Sequence, residues 1–202
     1  MRTELLVATK NIKKLKEIKE ILRGLPFCIS SLADYHQGIR IVENAKTFKG
    51  NAVKKAVKVA RATGKLTMGE DSGLCINILG GKPGVFSARF SGKEKSDAKN
   101  NELVLKLLSG VPRAKRGAHY ACAVAIADSR GLVSVVEGRC SGRIGTELKG
   151  AAGFGYDPLF IIPKYNKTFA QLGAKIKHKM SHRYRALEKA KRVLLGNTLR
   201  KA

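Results

Sequence analysis

Acidic residues are few in this chain, 15 against 40 lysines and arginines, so the carboxylates that do cluster are informative. Glu43 lies in V-E-N-A-K-T-F, and Glu70 with Asp71 lies in G-E-D-S-G-L. A strongly basic chain gains little from adjacent carboxylates as surface decoration. Two carboxylates brought together could hold a hard divalent cation such as magnesium through oxygen ligands. One of them could orient or deprotonate an attacking water. Taken alone, however, D-S-G is ordinary turn chemistry, and a surface turn is the plainer reading.

A second group lies at residues 9–14, where Thr9, Lys10, Asn11, Ile12, Lys13 and Lys14 form a T-x-N-x-x-K arrangement between a strand and a helix. Free backbone N–H groups and the positive helix end favour phosphate at such a junction, and lysines add charge. The G-x-x-x-x-G-K-[ST] loop is absent, and Thr9 and Asn11 by themselves are more often helix caps. Glycine-rich segments stand at 80–84 (GGKPG) and 150–158 (GAAGFGYDP). Glycine lets backbone approach a ligand, and an aromatic such as Phe154 or Tyr156, flanking Gly155, can stack on a base. A tight turn entering a strand, with Asp157 and Pro158, is the competing reading. K-H-K-M-S-H-R, with Lys177, Ser181, His182 and Arg183, reads alone as a capped helix start with a solvated charge run.

The elements that must position these groups follow from hydrophobic spacing. Residues 4–8 read as a buried strand. Asn11 opens a helix with Ile12, Leu15, Ile18, Ile21 and Leu22 inward and Gly24 as its stop. Thr47 opens a second, with Val53, Ala56, Val57 and Ala60 on one face and an end near Gly64. Asp97 caps a third, with Leu103, Val104, Leu107 and Leu108 inward. From 118 to 138 the period changes to two around a DSRG turn, a hairpin, and PLFII reads as a further strand. Ser181 caps a last helix carrying Leu187, Ala190, Val193 and Leu194. The expectation is an α/β protein with a mixed sheet, residues 1–202 forming one domain of two lobes.

Composition excludes several classes. Hydrophobic residues make up 44% of the 202, too many for disorder, and no apolar run suits a membrane span. The N-terminal apolar run has strand length, so an intracellular, cytoplasmic protein is expected. Cys28, Cys75, Cys122 and Cys140, like His36, His119, His178 and His182, show no metal-ligand spacing. The net charge of +25 favours polyanionic partners, from nucleic acid to phosphorylated small molecules, or is simply a solvated basic surface.

Taken in order, the segments resemble the inosine-triphosphate pyrophosphatase family. The series is T-x-N-x-x-K at Thr9 to Lys14, Glu43, T-F-x-x-N-A-x-x-K-A at Thr47 to Ala56, and E-D-S-G-L at Glu70 to Leu74. It continues with G-G-x-P-G-V-F-S-A-R-F-S-G at Gly80 to Gly92 and D-x-x-N-N at Asp97 to Asn101. G-F-G-Y-D-P at Gly153 to Pro158 and S-H-R at Ser181 to Arg183 complete it. The resemblance implies a two-lobed α/β fold around a long mixed sheet, an active site in the central cleft, and a homodimer. It implies magnesium-dependent cleavage of inosine and xanthosine triphosphates between the α- and β-phosphates.

Carried over, Thr9 through Lys14 would cradle the triphosphate, with Lys55 reaching the phosphates. Glu43 and Asp71 would bind magnesium, Asp71 also accepting the proton, and Ser72 would touch substrate. Phe154 would stack on the base, Gly155, Tyr156 and Asp157 would shape its pocket, and Lys177, His182 and Arg183 would face its polar edge. The chain departs from the family's habit at Gly50 and Gln171, where glutamate is frequent, and at Glu70, where aspartate is. The S-x-S-x-R-R opening of Maf-type pyrophosphatases is absent. A dedicated nucleic-acid binder would leave the clustered carboxylates unexplained, so at most weak, non-specific nucleic-acid binding is expected.

Overall fold

Leu5 and Val7 belong to one apolar cluster and Leu6 with Ala8 to another, as the two-residue period of a strand requires. That alternation decides which helix packs on which face. In a computed structural model, which describes residues 3–35 and 38–199, the chain runs β1 (Thr3–Val7), α1 (Ile12–Ile21), β2 (Phe27–Ser31), α2 (Phe48–Thr63) and β3 (Thr67–Ile76). It continues as α3 (Asp97–Leu107), β4 (Gly117–Asp128), β5 (Gly131–Ile144), β6 (Phe160–Ile162), β7 (Lys167–Thr168), α4 (Phe169–Lys177) and α5 (His182–Leu199). His36 lies outside the described residues. The strands form one mixed sheet in the order β2-β1-β3-β4-β5-β6-β7. β1 is parallel to β2 and β3, whereas β6 is antiparallel to β5 and β7. None of the described helices is long and apolar enough to cross a membrane.

The chain divides into two compact units. The first comprises Met1–Asp71, Cys122–Gly138 and Arg183–Ala202. On one face of its strands, Leu5, Val7, Met68, Cys122, Val124 and Ile126 pack on Ile18 of α1, on Leu22 at its end, and on Ala186, Leu187, Ala190 and Leu194 of α5. On the other face Ala52, Ala56 and Ala60 of α2 meet Ala123, Ala125 and Ala127 of β4. Side chains this small let helix and sheet approach closely. At Gly69 a Cβ would sit 2.2 Å from Ala52 O and 2.6 Å from Ala56 N, so the backbone of α2 lies directly on β3.

The second unit comprises Ser72–Ala121 and Arg139–His182. Its core joins Leu74 and Ile76 of β3, Val104 and Leu108 from the α3 region, Tyr120, Ile144, Tyr156, Phe160 and Phe169. Tyr120 touches Phe160 at 4.7 Å between ring centroids and Phe169 at 6.3 Å. Arg116, buried and with no carboxylate partner among the described residues, is satisfied by the carbonyls of Leu108, Ile144 and Gly145.

Most sequence signals hold. Asn11 caps α1 and Thr47 caps α2, which ends at Gly64 in the left-handed conformation, φ 69°. Three readings need correction, and the strand β2 was not read at all. Ile12 and Leu107 were expected inward but are 77% and 46% exposed, because each sits at the edge of its helix's apolar stripe. The cap of α3 is Ser96, Asp97 being its first helical residue. The strand β2 carries too mixed a sequence, FCISS, to announce itself. Finally, G-E-D-S-G-L is no surface turn: it is the buried middle of β3.

Candidate active site

In β3 the period of two that sends Met68 to the α1–α5 face and Gly69 to the α2 face also separates the neighbouring carboxylates. Glu70 follows Met68: it accepts from Lys14 Nζ at 2.8 Å, from Arg183 at 3.0 Å and from the Cys122 thiol at 3.3 Å. Asp71 follows Gly69: it accepts from Asn51 Nδ2 at 3.1 Å and Lys55 Nζ at 3.3 Å, both on α2. The two acids are therefore not a joint ligand pair. The acid that shares a cation with Asp71 is Glu43, whose Oε2 lies 2.7 Å from the same Lys55 ammonium.

Burial pushes the Asp71 carboxyl above the usual carboxylate range, with Glu70 adding to the effect and Lys55 and Lys14 opposing it. Burial opposes the charge on Lys55, yet Asp71 and Glu43 outweigh it and hold the ammonium protonated. Arg183 behaves alike: Glu70 and Glu17 overcome its complete burial and keep it charged. Burial raises the Cys122 thiol far above its ordinary value, so it remains a hydrogen-bond donor to Glu70.

The expected phosphate cradle is a helix entrance. Asn11 Oδ1 accepts from Lys14 N at 3.1 Å and Thr9 Oγ1 accepts from Asn11 N at 3.1 Å. Lys10, Asn11, Ile12 and Lys13 are exposed around it. Arg183, expected at a base edge, instead donates to Glu17 and Glu70 in the first unit. A buried cation is costly unless it is paired or fully hydrogen-bonded, and these two carboxylates pair Arg183.

In the second unit a different group assembles. Asp157 Oδ2 accepts from Lys177 Nζ at 2.6 Å and from Phe154 N at 3.0 Å, and Lys177 lies 4.7 Å over the Phe154 ring. Gly153 must be glycine: its φ is 83°, and a Cβ would come within 2.1 Å of Asp157 Oδ2. Gly155 is tied on both sides, its N–H donating to Asp97 at 3.0 Å and its carbonyl accepting from Asn101 at 2.9 Å. Tyr156 points into the core and donates to Ser87 O at 2.8 Å, so its ring supports the loop rather than lining it. His182 stacks on Tyr120, 4.5 Å apart and 9° from parallel. Ser72 is half-buried in β3.

Asn51, Glu17, Asp97 and Asn101 were given no role at the site from the sequence, yet they hydrogen-bond its residues. Asn51 precedes Lys55 by one helical turn and Glu17 follows Lys14 by three residues, spacings that place each pair on one helix face. The departures also find reasons. A Cβ at Gly50 would sit 2.8 Å from Ala45 Cβ, so the 45–51 segment closes over that position, with Ala45 N donating to Asn51. Gln171 completes a capping box with Thr168, a task glutamine performs as well as glutamate.

A family model described as the Ham1 family matches residues 5–193. A protein of Desulforamulus reducens named dITP/XTP pyrophosphatase is 44% identical over 191 residues, 95% of each chain. One of the same name from Bacillus subtilis is 43% identical, covering 95% of this chain and 96% of its own. The solved structure of the Staphylococcus aureus Ham1 protein superposes with a TM-score of 0.86 at 33% identity, covering 96% of this chain and all of that one. A HAM1 protein from Coxiella burnetii gives 0.86 at 35%, covering 96% and 99%.

Proposed function

Because the chain belongs to the Ham1 family, we propose that it hydrolyses ITP, dITP and XTP to the nucleoside monophosphate and pyrophosphate, clearing non-standard purines from the nucleotide pool. The observation that carries this reading is the convergence of Glu43 and Asp71 on one ammonium, beside a lysine-bearing helix entrance.

Those two carboxylates also suit magnesium. Among the described residues no three acids, histidines or cysteines form a metal cage. Magnesium needs none, since it takes one or two protein carboxylates and completes its shell with water and substrate phosphate. Glu43 and Asp71 already converge on a cation, and would hold the metal. When bound, it supplies neutralisation of charge on the phosphate oxygens.

The chain's own residues do the rest. Lys14 and Lys55 meet the triphosphate's negative charge. Asp71, held in place by Asn51 and raised in basicity by burial, takes a proton from the water that attacks the α-phosphorus as pyrophosphate leaves. Glu70 and Arg183 compensate each other behind it, which leaves Lys55 as the ion-pair partner of Asp71. Phe154 stacks on the base. Lys177, an ammonium that only donates, suits the 6-keto oxygen of hypoxanthine or xanthine and opposes adenine's amino group. A site built for such a hydrogen bond rejects the mismatch by a factor of about 10⁴. The homodimer and a cytoplasmic location belong to the same reading, and sedimentation tests the first.

The experiment is incubation with magnesium and a panel of nucleoside triphosphates, with identification of the products. ITP, dITP and XTP should turn over far faster than ATP, CTP or UTP and yield pyrophosphate. Comparable ATP turnover, or orthophosphate as first product, overturns the assignment.

A further inference from the structure

Apart from these groups, Arg113 and Arg143 in the second unit donate to one and the same atom, Asn166 Oδ1, at 2.9 and 2.5 Å. Two guanidinium groups therefore stand within two hydrogen-bond lengths of each other around a neutral oxygen. Neither has a carboxylate partner among the described residues. Arg143 Nε is buried and makes no hydrogen bond. Asn166 holds the pair from a turn in which its own φ is 48°, a conformation asparagine tolerates better than most residues.

Like charges drawn together on a neutral acceptor, with a donor left unsatisfied, describe a seat for an anion. Arginine forks suit phosphate, which offers several oxygens to two donors at once. The surroundings indicate what carries that phosphate. The segments 112–117 (PRAKRG) and 163–168 (PKYNKT) contain four further basic residues, Lys115, the buried Arg116, Lys164 and Lys167, and no acidic ones. Tyr165, next to Asn166, is 40% exposed, with Lys164 Nζ 5.6 Å from its ring centre. A cationic strip with an exposed aromatic is the arrangement that takes a single strand, phosphates on the cations and a base on the ring.

We propose that Arg113 and Arg143, seated on Asn166, bind a backbone phosphate of single-stranded nucleic acid, with Tyr165 stacking on a neighbouring base. The test is fluorescence anisotropy with a labelled uridine dodecamer. Asn166→Asp is nearly isosteric and supplies a built-in counter-anion to both arginines. It should weaken binding at least about tenfold while ITP hydrolysis and thermal midpoint hold or rise. Arg113→Gln with Arg143→Gln should weaken it similarly and lower the salt slope by about 0.7, one single-strand phosphate. Lys58→Gln with Arg61→Gln, the same charge removed from the exposed face of α2, should cost far less. Equal loss in that control, or unchanged binding by Asn166→Asp, overturns the proposal. So does an Arg143 Nε resonance that inorganic phosphate shifts and the dodecamer leaves unmoved, since the source would then be free phosphate.

Discussion

Lys177 and Asp157 form an ion pair of 2.6 Å whose side chains are 4% and 2% exposed, in the loop-and-helix group that also carries Phe154. Lys177→Met should unfold the protein more readily, by about 3–5 kcal/mol, because Asp157 would be left buried and charged without its counter-ion. Adding Asp157→Asn should restore much of that stability. The preference for ITP over ATP should remain lost in both variants. Restored selectivity in the double variant would remove Lys177 from base recognition.

Asp71→Asn should reduce turnover by about 10² or more with the fold retained, since it removes the proposed proton acceptor at nearly constant volume. Glu43→Gln should recover part of its activity as magnesium is raised, if Glu43 acts by ligation. Steady-state rates across a magnesium series, with circular dichroism as control, decide both.

Phe154→Ala should raise KM for ITP by a factor corresponding to about 1–3 kcal/mol, the range for a base stacked on an aromatic. Pyrophosphate should remain the product.

Asp71 must be ionised to act, and burial raises its pKa while Lys55 and Lys14 pull it back. The acid limb of kcat/KM should therefore lie above the ordinary carboxylate value of 3.8. Lys14→Met removes one opposing charge, so the limb should move to higher pH besides falling in height. A limb that stays in place would detach it from Asp71.

Glu4, bound by Lys65, Ser30 and Tyr35, has its pKa lowered from 4.5 to about 2. A lowered acid contributes stability that is complete above pH 4.5 and is lost as pH falls towards 2. Glu4→Gln should flatten that part of the acid denaturation curve, lowering stability at pH 7 and changing little near pH 2, as thermal midpoints across the pH range would show.

Much of this was legible in the residues. Helix entrances at Asn11 and Thr47, the stop at Gly64, the hairpin and the mixed α/β class follow from capping chemistry and periodicity, which act within a few residues. The acids and lysines that carry the proposed chemistry were legible as motifs. Their mutual geometry was not. Adjacent Glu70 and Asp71 read alike in sequence, yet burial on both faces of β3 sends one to Arg183 and the other to α2. Arg183 sits beside His182 in the chain, but their side chains serve different partners, Glu17 and Glu70 for one and the ring of Tyr120 for the other. Local sequence determines which backbone conformation a segment adopts. Which carboxylate compensates which buried cation depends on residues tens of positions away, and only the packed tertiary structure decides it, because the cost of an unpaired buried charge is met by whatever the fold brings within reach.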